Sequence, residues 1–207
     1  MRIIDISQEL LAAHIYDGDP APKIESLSNM ENGDLYNLSA LSMCLHNGTH
    51  IDAPSHFIKG GKTVDEMPLD AFVGKCFVAE YEGEISAEDA AKILEKAKLA
   101  LAAKSLKKGT ESDAVERILL KGNLTVTEDA ARVFAGSKIK LLGNEGQTVG
   151  PTDAPMAVHL ILLEKEIVLL EGIVLTDAHE GVYFLSAAPL NIKGAEGSPC
   201  RAWLTEI

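Results

Sequence analysis

Between residues 46 and 57 the chain reads His46-Asn-Gly-Thr-His50-Ile-Asp52-Ala-Pro-Ser-His56-Phe. This run holds three of the six histidines of the protein together with one aspartate. Because the four side chains all stand at even positions, an extended chain would project them to one side. At about 3.3 Å per residue, a straight strand would separate the first histidine from the last by about 33 Å, so the chain must fold back to gather them.

Glycine and proline within the run supply that turn. Gly48 permits backbone conformations that other residues resist, and Pro54 holds the residue before it extended. His50 and Asp52 then share one face of a short strand, and the turn brings His46 beside them. Imidazole nitrogens with a carboxylate suit Zn²⁺ and also Mn²⁺ or Fe²⁺. A metal site is predicted, because a merely polar loop gives no reason for Gly and Pro between the candidate ligands.

Two further candidates lie far from this run in sequence. Glu171 follows the apolar run Ile167-Val-Leu-Leu170, which is typical of a buried parallel strand, where an unpaired carboxylate would cost several kcal/mol. It stands at the carboxyl end of that strand, where sites lie in open α/β sheets. His159 lies in an otherwise apolar helical run, and from these residues alone a hydrogen-bonded core histidine is the favoured interpretation.

The run from His46 to Phe57 resembles the signature of the metal-dependent cyclase superfamily, which includes the bacterial kynurenine formamidases and isatin hydrolases. Shorter matches, weak one by one, follow in the same order along most of the chain. They are Asp5-Ile-Ser7, Gly18-Asp19-Pro20, Val158-His159, Leu170-Glu171-Gly172, Ala188-Pro189-Leu190 and Ser198-Pro199-Cys200-Arg201. The resemblance implies an α/β chain with the three-layer β/β/α swivelling-domain fold.

The resemblance also implies a site for divalent metal ions, two in number and either Zn or Mn. His46, His50 and Asp52 would hold one ion and His159 the second, while Asp52 and Glu171 would reach both. His56 stands where the family has its proton-transfer residue, and an imidazole with an ordinary pKa of about 6.5 can take a proton from water and return it to a leaving amine. The alternative for His56 is a further ligand or a group that orients one.

The substrate is less closely defined by the sequence. Kynurenine formamidases carry Trp-Pro before the Gly-Asp pair, whereas this chain has Tyr16-Asp17, so Tyr16 is expected to offer a smaller aromatic contact to the substrate. Residues 121–126 run directly from a strand into a helix, where relatives have a longer covering loop. We therefore expect a hydrolase of a small amide, lactam or related carbonyl compound, with N-formylkynurenine a poor substrate. The alternatives are a metal-dependent lyase, cyclase or dehydratase, or a non-catalytic metal or small-molecule binder.

Length and composition bound the remaining possibilities. A chain of 207 residues with 46% hydrophobic content predicts one globular domain over residues 1–207. The formal charge of -12 argues against nucleic acid as a partner. Three cysteines without paired spacing indicate no disulfide framework. The start of the chain lacks an apolar targeting segment and no stretch is long enough to span a membrane, so a cytoplasmic protein is expected.

The pattern of hydrophobic residues divides the chain into two halves. Up to about residue 81 the segments are short and β-rich, while strands at 76–81, 118–120, 139–142 and 167–170 then alternate with helices at 87–103, 128–134 and 154–164. Such alternation predicts parallel βαβ units. Within the first half, the run Leu38-Ser-Ala-Leu-Ser-Met-Cys-Leu45 is too apolar to leave exposed. We therefore expect a homodimer or a dimer-based homo-oligomer in which a neighbouring chain covers part of each pocket.

Overall fold

A nine-stranded mixed sheet forms the centre of the protein in the computed structural model, which describes residues 1–104 and 115–207. The strands are β1 (Ile3–Asp5), β2 (Lys23–Ser28), β3 (Leu38–Ser42), β4 (His50–Asp52), β5 (Val73–Glu80), β6 (Gly83–Ile85), β7 (Arg117–Lys121), β8 (Leu124–Val126), β9 (Leu141–Asn144), β10 (Val168–Glu171), β11 (Gly181–Ser186), β12 (Gly197–Pro199) and β13 (Trp203–Glu206). The described residues thus form thirteen strands, nine in this sheet and four in two separate pairs, β2 with β3 and β6 with β8. The α-helices are α1 (Leu69–Phe72), α2 (Ala87–Lys104), α3 (Glu128–Ala135) and α4 (Met156–Leu163). Short 3-10 helices cover Met30–Asn32, Pro54–His56 and Val64–Glu66.

The middle of the large sheet is parallel and its two flanks are antiparallel. The strand order is β1-β13-β11-β5-β7-β9-β10-β4-β12, and the four strands from β5 to β10 in that order run parallel to their neighbours. α2, α3 and α4 each connect one of these parallel strands to the next. The βαβ units predicted from the alternation of patterns are therefore confirmed.

Strand alternation divides the apolar residues into two cores, one on each face of the sheet. On β5, Cys76 and Val78 belong to a core around which the sheet curls, while Phe77 and Ala79 belong to the core under α2, α3 and α4. The first core draws residues from eight of the nine strands, because the curled sheet encloses it. This arrangement confirms the mixed α/β class expected from the sequence.

Some element boundaries differ from the sequence-based expectation because they depend on a distant partner. β5 begins at Val73, since Val73 is already paired with Ser186 of β11. Residues 124–126 form β8, which pairs in parallel with β6, before α3 begins at Glu128. The local hydrophobic pattern does not reveal which remote segments pair. It therefore predicts that these elements exist more accurately than it predicts their first and last residues.

The hairpin of β2 and β3, which we call the arm, forms a two-stranded sheet of its own. Ile24 and Leu41 face each other across it and remain 58% and 51% exposed. The apolar run at residues 38–45 is thus left largely uncovered by its own chain. Among the described residues, no helix combines the length and the apolar character that crossing a membrane would require.

Candidate metal centre

Strand geometry places His50, Asp52 and Glu171 on one face of the sheet. On β4, Ile51 points into the core that the sheet encloses, so its neighbours His50 and Asp52 project from the opposite, helix-covered face. β10 is antiparallel to β4 in a register that pairs Glu171 with His50. The Oε2 atom of Glu171 consequently lies 3.5 Å from Nε2 of His50.

The turn predicted from Gly48 brings His46 into the same group. Gly48 has a φ of +65°, a conformation that favours glycine, and the chain folds back there. Nδ1 of His46 then lies 2.7 Å from Oδ1 of Asp52. Gly197 of β12 provides the space for this ring, because a Cβ atom there would stand 2.5 Å from Cε1 of His46. Sequence reasoning did not single out Gly197.

His159 approaches from α4 and completes a second group of potential ligands. Its Nε2 atom lies 3.6 Å from Oδ2 of Asp52 and 3.3 Å from Oε1 of Glu171. Donor atoms lie within 4.8 Å of one another in each of two groups, one formed by His46, His50 and Asp52 and the other by Asp52, His159 and Glu171. The structure therefore brings together all five residues expected to bind metal, with Asp52 common to both groups.

Backbone contacts orient these side chains toward the centre of the cluster. Because a carbonyl oxygen can only accept, Nδ1 of His50 donates to Gly48 O at 2.9 Å, which leaves Nε2 facing the carboxylates. Nδ1 of His159 donates to Pro155 O at 2.9 Å in the same way. The backbone N–H of Val149 donates to Oε1 of Glu171 at 2.8 Å. Such outer contacts are typical of metal-binding histidines and carboxylates.

Charge and burial at the cluster favour a cation. The side chains of Asp52 and Glu171 are only 1% and 3% exposed. Burial opposes the ionisation of Asp52, yet His159, His46 and His50 hold the pKa of its carboxyl group well below its usual range. Burial would likewise lower the pKa of His159, but Asp52 and Glu171 raise it to about 10. Two buried carboxylates thus require nearby positive charge, and nitrogen and oxygen donors of this kind suit a divalent metal.

His56 lies beside the cluster but belongs to neither donor group. It ends the 3-10 helix that Pro54 begins, and its Nε2 atom is 4.0 Å from Oδ2 of Asp52. Its ring stacks on that of His46 with centroids 4.0 Å apart, and its side chain is 28% exposed. Burial lowers its pKa from the usual value. The ring therefore combines a fixed position with access to the cleft.

A cleft of about 270 Å³ opens above the cluster, and Tyr16 is one of the residues that line it. Residues from the segments 8–19 and 147–155 line it, and between these segments Nε2 of Gln147 donates to His14 O at 2.7 Å. Residues 121–126 are not among its lining. The lining residues that sequence reasoning did not assign to the site are Gln8, His14, Asp19, Cys44, Phe57, Gln147, Thr148 and Pro155. For Asp19, its place in the Gly-Asp-Pro match was an available signal.

Comparison with known proteins identifies the family of this chain. The family model described as "Putative cyclase" matches residues 4–151, a range that includes the whole run from His46 to Phe57. The chain belongs to the cyclase family. The cyclase family, which the sequence of residues 46–57 resembles, is thus confirmed.

Relatives of this cyclase-family chain match it over nearly its full length. It is 31% identical over 220 residues to kynurenine formamidase from Erythrobacter litoralis (strain HTCC2594), covering 100% of this chain and 94% of that protein. A solved structure described as a potential metal-dependent hydrolase with cyclase activity has 27% identity and a TM-score of 0.74, covering 98% and 96% of the two chains. Isatin hydrolase A from Labrenzia aggregata bound to benzyl benzoate, at 22% identity, shares the fold with a TM-score of 0.76 over 98% and 93%.

Proposed function

We propose that this cyclase-family protein is a metal-dependent hydrolase of small amides, lactams or related carbonyl compounds. The observation that carries the proposal is the position of Asp52, whose buried carboxylate is common to two groups of nitrogen and oxygen donors that line a cleft. His56 stands beside both groups without belonging to either. The similarity to a kynurenine formamidase supports an amide as the bond that is cleaved.

In this proposal the two donor groups hold two divalent ions, either Zn or Mn. His46 and His50 serve one position, His159 serves the other, and the carboxylates of Asp52 and Glu171 lie within reach of both. Ions bound there would polarise the substrate carbonyl and lower the pKa of a water molecule. The nitrogen-rich donor set is the reason for preferring Zn or Mn over Mg or Ca.

We assign proton transfer to His56. Stacking against His46 and the edge contact with Phe57, at a centroid distance of 4.5 Å, limit the positions its ring can take. From there the imidazole would accept a proton from the attacking water and donate it to the departing nitrogen. Tyr16 and Phe57 would contact the substrate and exclude bulk water from the reacting bond.

A turnover assay tests this function directly. The protein is freed of metal, reloaded with Zn²⁺ or Mn²⁺, and incubated with a panel of N-formyl amides and lactams. We expect hydrolysis of some members only after reloading. Full metal uptake with elimination or ring closure of a carbonyl substrate would instead indicate a lyase, cyclase or dehydratase, and metal uptake without any turnover would indicate a binding protein.

We also propose that the protein is a homodimer, or an oligomer built from dimers. The arm exposes Ile24 and Leu41 on one face, and an isolated two-stranded hairpin is marginally stable in water. A second copy of the chain would cover this face.

We further propose that residues 1–207 work as one domain, since both cores pack on the same sheet. The cytoplasmic location stays a prediction.

A further inference from the structure

A tight turn places two residues of the N-terminal segment on the cleft. The backbone N–H of Asp19 donates to Tyr16 O at 3.0 Å, and Gly18 adopts a φ of +97° within this turn. The first and last residues of such a turn lie close together. Tyr16 and Asp19 both line the cleft, whereas Asp17 is exposed and does not.

Within the part of the chain that the structure describes, the carboxylate of Asp19 accepts a single side-chain hydrogen bond. Its side-chain partner is the thiol of Cys44, a weak donor, whose Sγ lies 3.4 Å from Oδ2. Among residues 1–104 and 115–207, no lysine or arginine forms an ion pair with Asp19, and none lines the cleft. A partly buried carboxylate facing a binding cleft is stabilised by a positively charged or strongly donating group.

We propose that Asp19 is a specificity-determining residue that binds a protonated amine of the substrate within the cleft. The inference rests on the proposed function, because the amide or lactam carbonyl would lie at the metal centre while the amine lies at Asp19. The substrate class is then a small amide or lactam that bears a basic amine. The described lining residues include no lysine or arginine that could bind a carboxylate of the substrate.

Two probe substrates that differ by one terminal ammonium group test the assignment. N-formyl-4-(aminomethyl)aniline carries an ammonium group at neutral pH, and N-formyl-4-methylaniline carries none. We expect the unaltered protein to prefer the first probe, and Asp19→Asn to reduce that preference at least tenfold, mainly through KM. Asp17→Asn removes the same charge from the same turn and should preserve the preference. Raising the ionic strength should weaken the preference of the unaltered protein.

A binding measurement separates this proposal from the proposed function. Calorimetric titration of the metal-loaded protein with 4-(aminomethyl)aniline and with 4-methylaniline needs no turnover. Tighter binding of the first compound that is lost in Asp19→Asn and kept in Asp17→Asn supports the amine site, even when neither formamide is hydrolysed and amide hydrolysis is refuted. Equal losses for both compounds would show that Asp19 only maintains the turn, and the absence of any amine preference in the unaltered protein would overturn the proposal.

Discussion

Glu171 lies directly opposite His50 across the antiparallel strands β10 and β4, with Oε2 of the glutamate 3.5 Å from Nε2 of the histidine. The same register sets Leu169 opposite Asp52. Because side chains alternate between the two faces of a strand, a slip of one residue would turn Glu171 into the opposite core. The candidate metal centre therefore depends on the register of one strand pair.

Loss of either His50 or Asp52 should sharply lower metal content. His50→Ala removes a nitrogen donor and Asp52→Ala removes the carboxylate common to both groups, while the two cores that support the fold remain. Elemental analysis measures bound metal and circular dichroism reports the fold. His179→Ala removes an exposed histidine outside the cluster and should keep the metal content of the unaltered protein. Unchanged metal in both site variants would refute the assignment.

His56→Ala should keep its metal and lose activity. As the proposed proton-transfer group, His56 is expected to contribute about 10² to 10⁴ in turnover. Steady-state kinetics on whichever formamide or lactam is hydrolysed gives the loss, and elemental analysis on the same sample gives the metal content. A joint loss of metal and activity would make His56 a ligand instead.

Gly197→Ala should disturb the metal centre without removing any ligand. The added Cβ would stand 2.5 Å from Cε1 of His46, so the ring must leave its present position beside Asp52. We expect weaker metal binding in a competition titration with a chelating dye. Gly136→Ala is the matched control, because the nearest atom to its Cβ is 3.4 Å away and its φ of -78° suits alanine. Equal metal affinity in the two variants would contradict the packing argument.

N-formylkynurenine should be a poor substrate. Tyr16 lines the cleft where kynurenine formamidases carry Trp-Pro before the Gly-Asp pair, so this chain offers the substrate a smaller aromatic contact. We expect a kcat/KM below about 10⁴ M⁻¹s⁻¹, the lower end of the usual range for enzymes. Absorbance assays with the metal-loaded protein give this value, and an efficiency at or above that limit would refute the prediction.

Light scattering should show a dimer or a larger assembly at micromolar concentration. Replacing both Ile24 and Leu41 with lysine sets like charges on the exposed apolar face of the arm, and this double variant should be a monomer. Ser42→Lys adds a charge to the other face of the arm and should leave the assembly intact. A fully active monomer of 22.1 kDa formed by the unaltered chain would exclude any need for a partner.

Local pattern was enough to predict much of the fold and part of the site. Parallel βαβ units could be predicted because hydrophobic periodicity within each segment reports which face is buried. His50 and Asp52 could be placed on one face because they stand two residues apart on a strand, and Gly48 indicated the turn that returns His46. These features depend on residues that are close together along the chain, so the sequence alone is enough to predict them.

Tertiary structure alone decided which distant segments meet. From its own residues His159 was expected to be a hydrogen-bonded core histidine, and Nδ1 does bond to Pro155 O, while Nε2 faces Asp52 and Glu171. The Gly-Asp-Pro match drew attention to Asp19, but only the structure shows that Asp19 lines the cleft. Likewise, only the structure shows that the arm forms a sheet separate from the large one. The sequence thus determined the elements and the chemistry of the first ligand group. Long-range strand register and helix packing decided the rest, because they place residues by contacts between segments that are remote along the chain.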